Sequence, residues 1–273
     1  MTQPARTKSI VAGIDGSKAA IRAALWAVDE AVSRDVPLQL LYATDSADGE
    51  QAAQMAVRQA VTAIQVAGKP VQVETEVVHG PAVGSLIRSS ASAAMVCVGA
   101  VGLRHFQPGR VGSTAAALAV SARCPVAIVR GRDGHRGAPA ENAVVEIAGS
   151  PDSVLLGAAI EEAVLRGAAL EAVVSRRTGR AEQHGDTEAD RRALADLDRR
   201  LSGWKRRHPQ LRVESLAIHV GLLDYLAGHR GPVGLVIVGA DNRQHVAELV
   251  GPVGSSVMAD ANCSLLIVNR QHL

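Results

Sequence analysis

The chain has 273 residues, of which 47% are hydrophobic, 21% charged and only 2% aromatic, and its formal net charge is +2. Its length exceeds the roughly 100 to 150 residues of a typical domain, which predicts two domains, and its hydrophobic share excludes a disordered or collagen-like chain. The near-neutral charge and the scarcity of aromatic rings argue against nucleic acid or a membrane surface as a partner.

The lack of targeting segments and the pattern of cysteines both indicate a cytoplasmic protein. No apolar run approaches the roughly 20 residues of a membrane span, and the N-terminal stretch lacks the apolar core of a signal peptide. The three cysteines, Cys97, Cys124 and Cys263, are far apart and lie beside or within apolar segments. We therefore expect buried thiols in a cytoplasmic protein with no membrane partner.

Strands and helices alternate through the first half of the chain. A β-branched run, Lys8 to Ile14, ends in a turn signal, and apolar residues then recur at helical spacing up to Arg34. Further strands are predicted at Leu38 to Ala43, Pro70 to Val78, Ala94 to Val98 and Pro125 to Arg130, with helices near Glu50 to Ala67, Gly80 to Ala91 and Ser113 to Ala122. This alternation predicts parallel βαβ units and a sheet that is buried on both faces.

The same order of elements starts again after a linker rich in glycine and charge, Gly131 to Glu141. The segment Glu162 to Arg166, for example, repeats the pattern of Glu30 to Arg34 132 residues later. Similar offsets along the whole chain predict a tandem duplication, with domains at 1–133 and 141–273.

A glycine-bearing loop leaves the fourth strand and ends at a predicted helix N-terminus. Its spacing, G-x2-G-x9-G-S, is formed by Gly99, Gly102, Gly112 and Ser113. Open α/β sheets bind ligands at this place, because the backbone can approach a ligand closely at glycine and free helix N–H groups attract phosphate. The alternative is a flexible turn. The GK[ST] and GxGxxG motifs are absent, which argues against the standard nucleotide hydrolases and dehydrogenases.

Three motifs together resemble the universal stress protein family, in its tandem-domain, ATP-binding bacterial form. They are the glycine loop, the turn Asp15-Gly16-Ser17, and Cys124-Pro125-Val126 at the start of the last strand. The resemblance covers almost the whole chain. It implies two tandem open parallel five-stranded sheets in the order 3-2-1-4-5, flanked by helices, in the adenine nucleotide alpha hydrolase-like fold. It also implies ATP as the ligand, with Mg²⁺ or Mn²⁺.

The resemblance further implies which residues hold the nucleotide. Adenine and ribose are expected near Gly13, Ile14, Asp15 and Ala43, with the Asp15 carboxylate accepting a hydrogen bond from either. The phosphates are expected along Gly99, Ala100, Val101, Gly102, Leu103, Arg104, His105, Gly112, Ser113 and Thr114. Asp15 could instead form the turn and cap the next helix, and both roles can coexist. No catalytic residue and no metal-ligating side chain is assigned.

The second half departs from this pattern. The replacements are Ala148 for Asp15, Asn242 for the second glycine and Pro252 for Ser113. Proline removes one N–H group, and the acids Asp241 and Glu248 disfavour a phosphate. The second domain is expected to keep the fold and to bind ATP weakly or not at all.

The favoured function is an ATP-binding regulatory module whose occupancy is read by an unknown protein partner or by a second subunit. In the family the last strand commonly pairs with its counterpart, so Pro125 to Arg130 and Leu265 to Asn269 are the candidate pairing edges, and a homodimer is expected. One alternative is a slow ATPase or phosphotransferase, in which Asp15 or His105 orders a water. Another is a nucleotide-free scaffold.

Overall fold

The structure is a computed structural model that describes residues 8–45, 49–103, 109–131, 142–147, 153–175, 187–229 and 231–269. The first half contains β1 (Ile10–Ile14), α1 (Lys18–Arg34), β2 (Leu38–Thr44), α2 (Gly49–Ala67), β3 (Val73–His79), α3 (Ala82–Ser89), β4 (Met95–Gly99), α4 (Ser113–Ser121) and β5 (Val126–Val129). The second half contains β6 (Asn142–Ile147), α5 (Ser153–Arg166), β7 (Leu170–Ser175), α6 (Thr187–Arg207), β8 (Val213–Ile218), α7 (Leu222–Gly228), β9 (Val233–Gly239), α8 (Arg243–Val250), α9 (Pro252–Asp260) and β10 (Ser264–Val268).

The strands form one sheet in the order β3-β2-β1-β4-β5-β10-β9-β6-β7-β8. All pairs within each half are parallel, and each half has the predicted order 3-2-1-4-5. The two five-stranded sheets are joined because β5 pairs with β10 in antiparallel fashion, with Ala127 opposite Leu266. The predicted pairing of the last strands is thus found within a single chain. We call this junction, together with the elements that pack across it, the seam.

Helices cover both faces of the sheet, and the cores beneath them are continuous across the seam. Helices α1, α2, α5 and α6 pack on one face, and α3, α4, α7, α8 and α9 pack on the other. The side of α1 that faces the sheet is a stripe of buried alanines that lets the helix lie close to the strands; they are Ala20, Ala23, Ala24, Ala27 and Ala31. Strands β5 and β10 are buried along their whole length. The cores are therefore built from aliphatic side chains, as the composition suggests.

The cysteines are buried free thiols, as predicted. Burial raises the pKa of Cys124 to about 12, so this group stays a thiol at neutral pH. Among the described residues, no helix combines the length and hydrophobicity that crossing a membrane requires.

Two carboxylates and two guanidinium groups meet between α1 and α5, and we call them the quartet. Glu30 and Arg34 form an i,i+4 pair in α1, and Glu162 and Arg166 form the equivalent pair in α5. The pairs are also crossed: Arg34 Nη2 lies 3.2 Å from Glu162 Oε1, and Arg166 Nη2 lies 2.5 Å from Glu30 Oε1. The guanidinium of Arg166 also lies over the Trp26 ring, 4.2 Å from its centre.

The carboxylates of the quartet are almost completely buried, with exposed side-chain fractions of 0% for Glu30 and 1% for Glu162. The pKa of Glu162 is raised to about 7: burial is the largest cause and the charge of Glu30 adds to it, while Arg166 and Arg34 act in the opposite direction. The 132-residue repeat read from the sequence thus places a proton-sensitive ion cluster between the two halves.

Candidate functional site

The candidate site lies at the carboxyl ends of β1 and β4, where the strand order reverses. Strand β1 pairs with β2 on one side and with β4 on the other, so the connections from β1 and β4 leave toward opposite faces of the sheet. A crevice opens between such connections, and open α/β sheets bind ligands there.

The turn after β1 is organised by the Asp15 carboxylate. Its Oδ1 accepts a hydrogen bond from the backbone N–H of Ser17 at 2.9 Å, which closes the turn. The Ser17 hydroxyl in turn accepts from the N–H of Ala20 at 3.0 Å and is the N-cap of α1. Asp15 therefore has the turn-forming role, while the helix cap belongs to Ser17.

The same carboxylate holds the glycine loop. Oδ2 of Asp15 accepts a hydrogen bond from the backbone N–H of Leu103, 88 residues away, at 3.0 Å. A Cβ added to Gly102 would lie 2.7 Å from this oxygen, and one added to Gly99 would lie 2.7 Å from the carbonyl carbon of Ala19. The close approach of the α1 backbone therefore requires glycine at position 99, whereas a side chain at position 102 would have to displace the Asp15 carboxylate that holds the loop.

The third motif glycine begins helix α4. The N–H of Gly112 donates to the carbonyl oxygen of Ala100 at 2.8 Å, which folds the end of the loop back onto its start. Gly112 is the N-cap of α4 and supplies no side chain to the first turn. Ser113 is exposed and Thr114 half-buried, so their hydroxyl groups and the first N–H groups of the helix are available to an anion.

The remaining predicted residues form an aliphatic wall. Gly13 and Ile14 pair with Leu41 and Tyr42 of β2, and Ala43 follows at the same end of that strand. The structure thus brings Gly13, Ile14, Asp15, Ala43, Gly99, Ala100, Val101, Gly102, Leu103, Gly112, Ser113 and Thr114 to the carboxyl ends of three neighbouring strands and the start of α4. The predicted phosphate contacts Arg104 and His105 lie outside the described residues.

A cavity of about 130 Å³ adjoins the start of the glycine loop at the seam, and we call it the seam cavity. It is lined by Ala19, Arg22, Ala100, Val101, Val129, Arg130, Gly131, Ala259 and Asn262. Sequence reasoning missed Arg22 and Arg130, because they are distant in the chain and belong to no motif. The only available signal was the position of Arg130 at the carboxyl end of a predicted strand.

The equivalent place in the second half is filled. The described parts of the first-half loop, 100–103 and 109–112, contain no helix, whereas the second half has helix α8, capped by Asn242, whose Oδ1 accepts from the N–H of His245 at 3.1 Å. Ile10 pairs with Met95 as Ala143 pairs with Leu235, so Glu146 stands at the position of Gly13.

The Glu146 carboxylate is 6% exposed, and its Oε2 lies 2.6 Å from Nε2 of His245. A buried carboxylate paired with a helix side chain thus occupies this end of the strand, which supports the expectation of weak or absent nucleotide binding. Pro252 is the first residue of α9, as its missing N–H group favours. Ala148, which replaces Asp15, lies outside the described residues.

Known proteins share the sequence and the fold. The model of the universal stress protein family matches residues 6–130. A universal stress protein of Mycobacterium tuberculosis strain H37Rv is 50% identical over 285 residues, which cover 100% of both chains. A second from the same strain is 39% identical over 271 residues, with 96% of this chain and 97% of the relative covered.

A solved structure agrees with the fold of the complete chain. The crystal structure of a universal stress protein from Archaeoglobus fulgidus matches with a TM-score of 0.67 and 13% identity, and the match covers 96% of each chain. At this identity the similarity concerns the fold alone.

Proposed function

The chain belongs to the universal stress protein family, and on that premise we propose that its first half binds ATP, with Mg²⁺ or Mn²⁺, and acts as a regulatory module in the cytoplasm. The observation that carries the proposal is the link from Asp15 Oδ2 to the N–H of Leu103. It holds the glycine loop beside a helix N-terminus that has no side-chain cap.

The chemistry of the crevice suits a nucleotide. Uncapped N–H groups and the positive end of the α4 dipole attract phosphate oxygens, and the hydroxyls of Ser113 and Thr114 add donors. The Asp15 carboxylate is an acceptor for a ribose hydroxyl or the adenine amino group. Adenine would lie against aliphatic side chains and backbone, because the nearby wall includes Leu86 and Val98, each with a carbon 3.1 Å from a Cβ built on Gly13.

A nucleotide in the crevice can affect the protein surface outside it, because the glycine loop extends to the second half of the chain. A Cβ built on Gly109, at the end of the loop, would lie 3.8 Å from the Ser256 hydroxyl in α9. A ligand that rearranges the loop would therefore alter the surface around α9. We propose that a regulatory protein partner, or a second chain in a homodimer, recognises this surface.

Nucleotide content and affinity test the proposal. The purified wild type should carry ATP or bind about one per chain by calorimetry. Asp15→Ala removes two hydrogen bonds from the turn and loop, and Gly102→Glu forces a charged side chain against Asp15. Each substitution should therefore weaken ATP binding by about tenfold or more. Asp241→Ala, in the matching loop of the second half, is the control and should leave the affinity unchanged.

The result that would overturn the proposal is a wild type without ATP and without affinity for it. Phosphate release well above background, abolished by Asp15→Ala, would favour the slow ATPase instead. Light scattering with and without ATP checks whether chains associate as homodimers.

A further inference from the structure

We propose that the seam cavity is an oxyanion site that takes a single phosphoryl group. It lies beside the crevice of the first half, with which it shares Ala100 and Val101 of the glycine loop, and it is closed on its far side by the second half. The resemblance places phosphates along Ala100 and Val101, but it assigns no role to Arg22 or Arg130, the two cationic residues of the cavity.

The charge of the lining selects an anion. Two guanidinium side chains, those of Arg22 and Arg130, line the cavity, and none of the lining residues that the structure describes is acidic. The side chain of Arg130 is partly buried and donates from Nη2 to the carbonyl oxygen of Ser255 at 3.3 Å. A carbonyl dipole compensates a guanidinium charge less well than an anion does.

Arg34 of the quartet and Arg130 are both desolvated, but their pKa values shift in opposite directions. Desolvation acts on Arg34 too, but Glu30 and Glu162 outweigh it, so the pKa of Arg34 is raised. At Arg130 the pKa is lowered, because burial disfavours the charged guanidinium and no carboxylate among the described residues offsets it. A bound oxyanion would bring a full negative charge to this partly buried guanidinium.

The size of the cavity and its remaining walls also suit a phosphoryl group. About 130 Å³ is many times the roughly 10 to 15 Å³ that one water needs, so a tetrahedral oxyanion with part of its hydration can enter. Asn262 adds an amide donor from the second half, and Ala19, Val129 and Ala259 form walls that bring no competing negative charge.

Two sources could supply the phosphoryl group: free inorganic phosphate, or the terminal phosphate of a nucleotide in the neighbouring crevice. Only the second rests on the function proposed above. Because α1, the glycine loop and β5 supply one side and the end of α9 the other, an anion from either source would contact both halves at once.

The first arm of the test titrates nucleotide-free full-length protein with inorganic phosphate, followed by calorimetry and by the thermal unfolding midpoint. Arg130→Gln and Arg22→Gln should each weaken phosphate binding by about tenfold or more. Ala259→Glu should have the same effect, because it adds a carboxylate from the second half. Arg123→Gln removes an exposed arginine just before β5, at the opposite end of that strand, and should behave as wild type.

The second arm compares ATP with ADP. If the terminal phosphate is the occupant, the same three variants should lower the ATP-over-ADP preference by about tenfold while ADP affinity stays constant. Should Arg130→Gln fail to fold by circular dichroism, Arg22→Gln and Ala259→Glu carry the test.

The site proposal is overturned if the variants match Arg123→Gln in both phosphate affinity and ATP-over-ADP preference. If wild type binds neither nucleotide, the proposed function fails, and the phosphate arm alone then decides on the cavity. The two failures are thus distinguishable.

Discussion

At the residue scale, the quartet concentrates the unusual electrostatics of the described chain. Each buried carboxylate contacts one guanidinium from its own helix and one from the other half. Two carboxylates this close repel when both are ionised, and burial adds to the cost, so a proton held by the pair is favoured. The pKa of Glu162, raised to about 7, reflects that balance.

The unfolding free energy should therefore depend on pH through Glu162. In the folded protein this group keeps a proton that the unfolded chain releases near pH 4.5, so its contribution is complete below that pH and is lost as pH rises through about 7. The loss should be on the order of 2 to 3 kcal/mol between pH 5 and 7.5. Urea unfolding across this range measures it.

Glu162→Gln, which stays neutral, should flatten this pH dependence. Glu161→Gln changes an exposed neighbour on the same helix and should keep the wild-type slope. An unchanged slope in Glu162→Gln would show that another group is responsible.

The sequence identifies part of the candidate site at this scale, and the reason is local. Gly99, Gly102 and Asp15 stand out because close backbone approach and a tight turn demand these residue types at fixed spacing. Arg130 and the Glu146–His245 pair do not stand out, since their partners are set by tertiary contacts between distant segments. Whether the predicted residues bind ATP stays a prediction.

At the scale of elements, helix α1 connects the crevice with the quartet. It begins next to the turn that Asp15 organises and ends at Arg34. Its start depends on a single side-chain cap, the hydroxyl of Ser17, a residue that is 9% exposed. The N-terminus of α1 and the turn at the candidate site are therefore adjacent but are held by different atoms.

Removing the cap should separate these two roles. Ser17→Ala should lower the unfolding free energy by about 1 kcal/mol, because the N–H of Ala20 loses its acceptor. ATP affinity should change by less than about twofold, since Asp15 contacts the backbone N–H of Ser17, which alanine retains. Chemical denaturation and calorimetry measure the two effects.

The control is Ser121→Ala, on an exposed serine at the end of α4, which should change neither quantity appreciably. A loss of ATP affinity in Ser17→Ala as large as that in Asp15→Ala would contradict the assignment.

Most elements of the first half can be predicted from the sequence, with boundaries that shift by a few residues. Strand β4, for instance, is an unbroken apolar run because a parallel strand with helices on both faces is buried on both sides. Helix α8 was missed, because comparison with the first half suggested a loop there. Its N-cap Asn242, with a bond to His245 three residues on, is the signal that could have revealed it.

At the scale of the whole molecule, the sheet and both cores run through the seam without interruption. The antiparallel pairing of β5 with β10 satisfies strand edges that would otherwise be open. The quartet adds charge complementarity between α1 and α5. Together they should make the chain unfold as one cooperative unit.

Charge exchange tests this coupling. Glu30→Arg with Arg34→Glu keeps the pair within α1 but sets like charges against Glu162 and Arg166, so the unfolding free energy should fall by about 3 to 5 kcal/mol. Adding Glu162→Arg with Arg166→Glu restores opposite charges at each crossed contact and should recover much of the loss. Urea unfolding of the full-length variants measures both steps.

The matched control exchanges Glu188 and Arg192, an exposed pair on α6, and should have little effect. If the variant with all four substitutions is no more stable than the variant with two, the crossed contacts do not couple the halves.

The crossed pattern of the quartet also has an evolutionary consequence. Since each carboxylate is paired with an arginine from the other half, a substitution in one half has to be compensated by a substitution in the other. Recombination between related genes should therefore be tolerated when both halves of the chain come from the same parent. Hybrids that join repeats from different parents should succeed where both carry glutamate and arginine four residues apart.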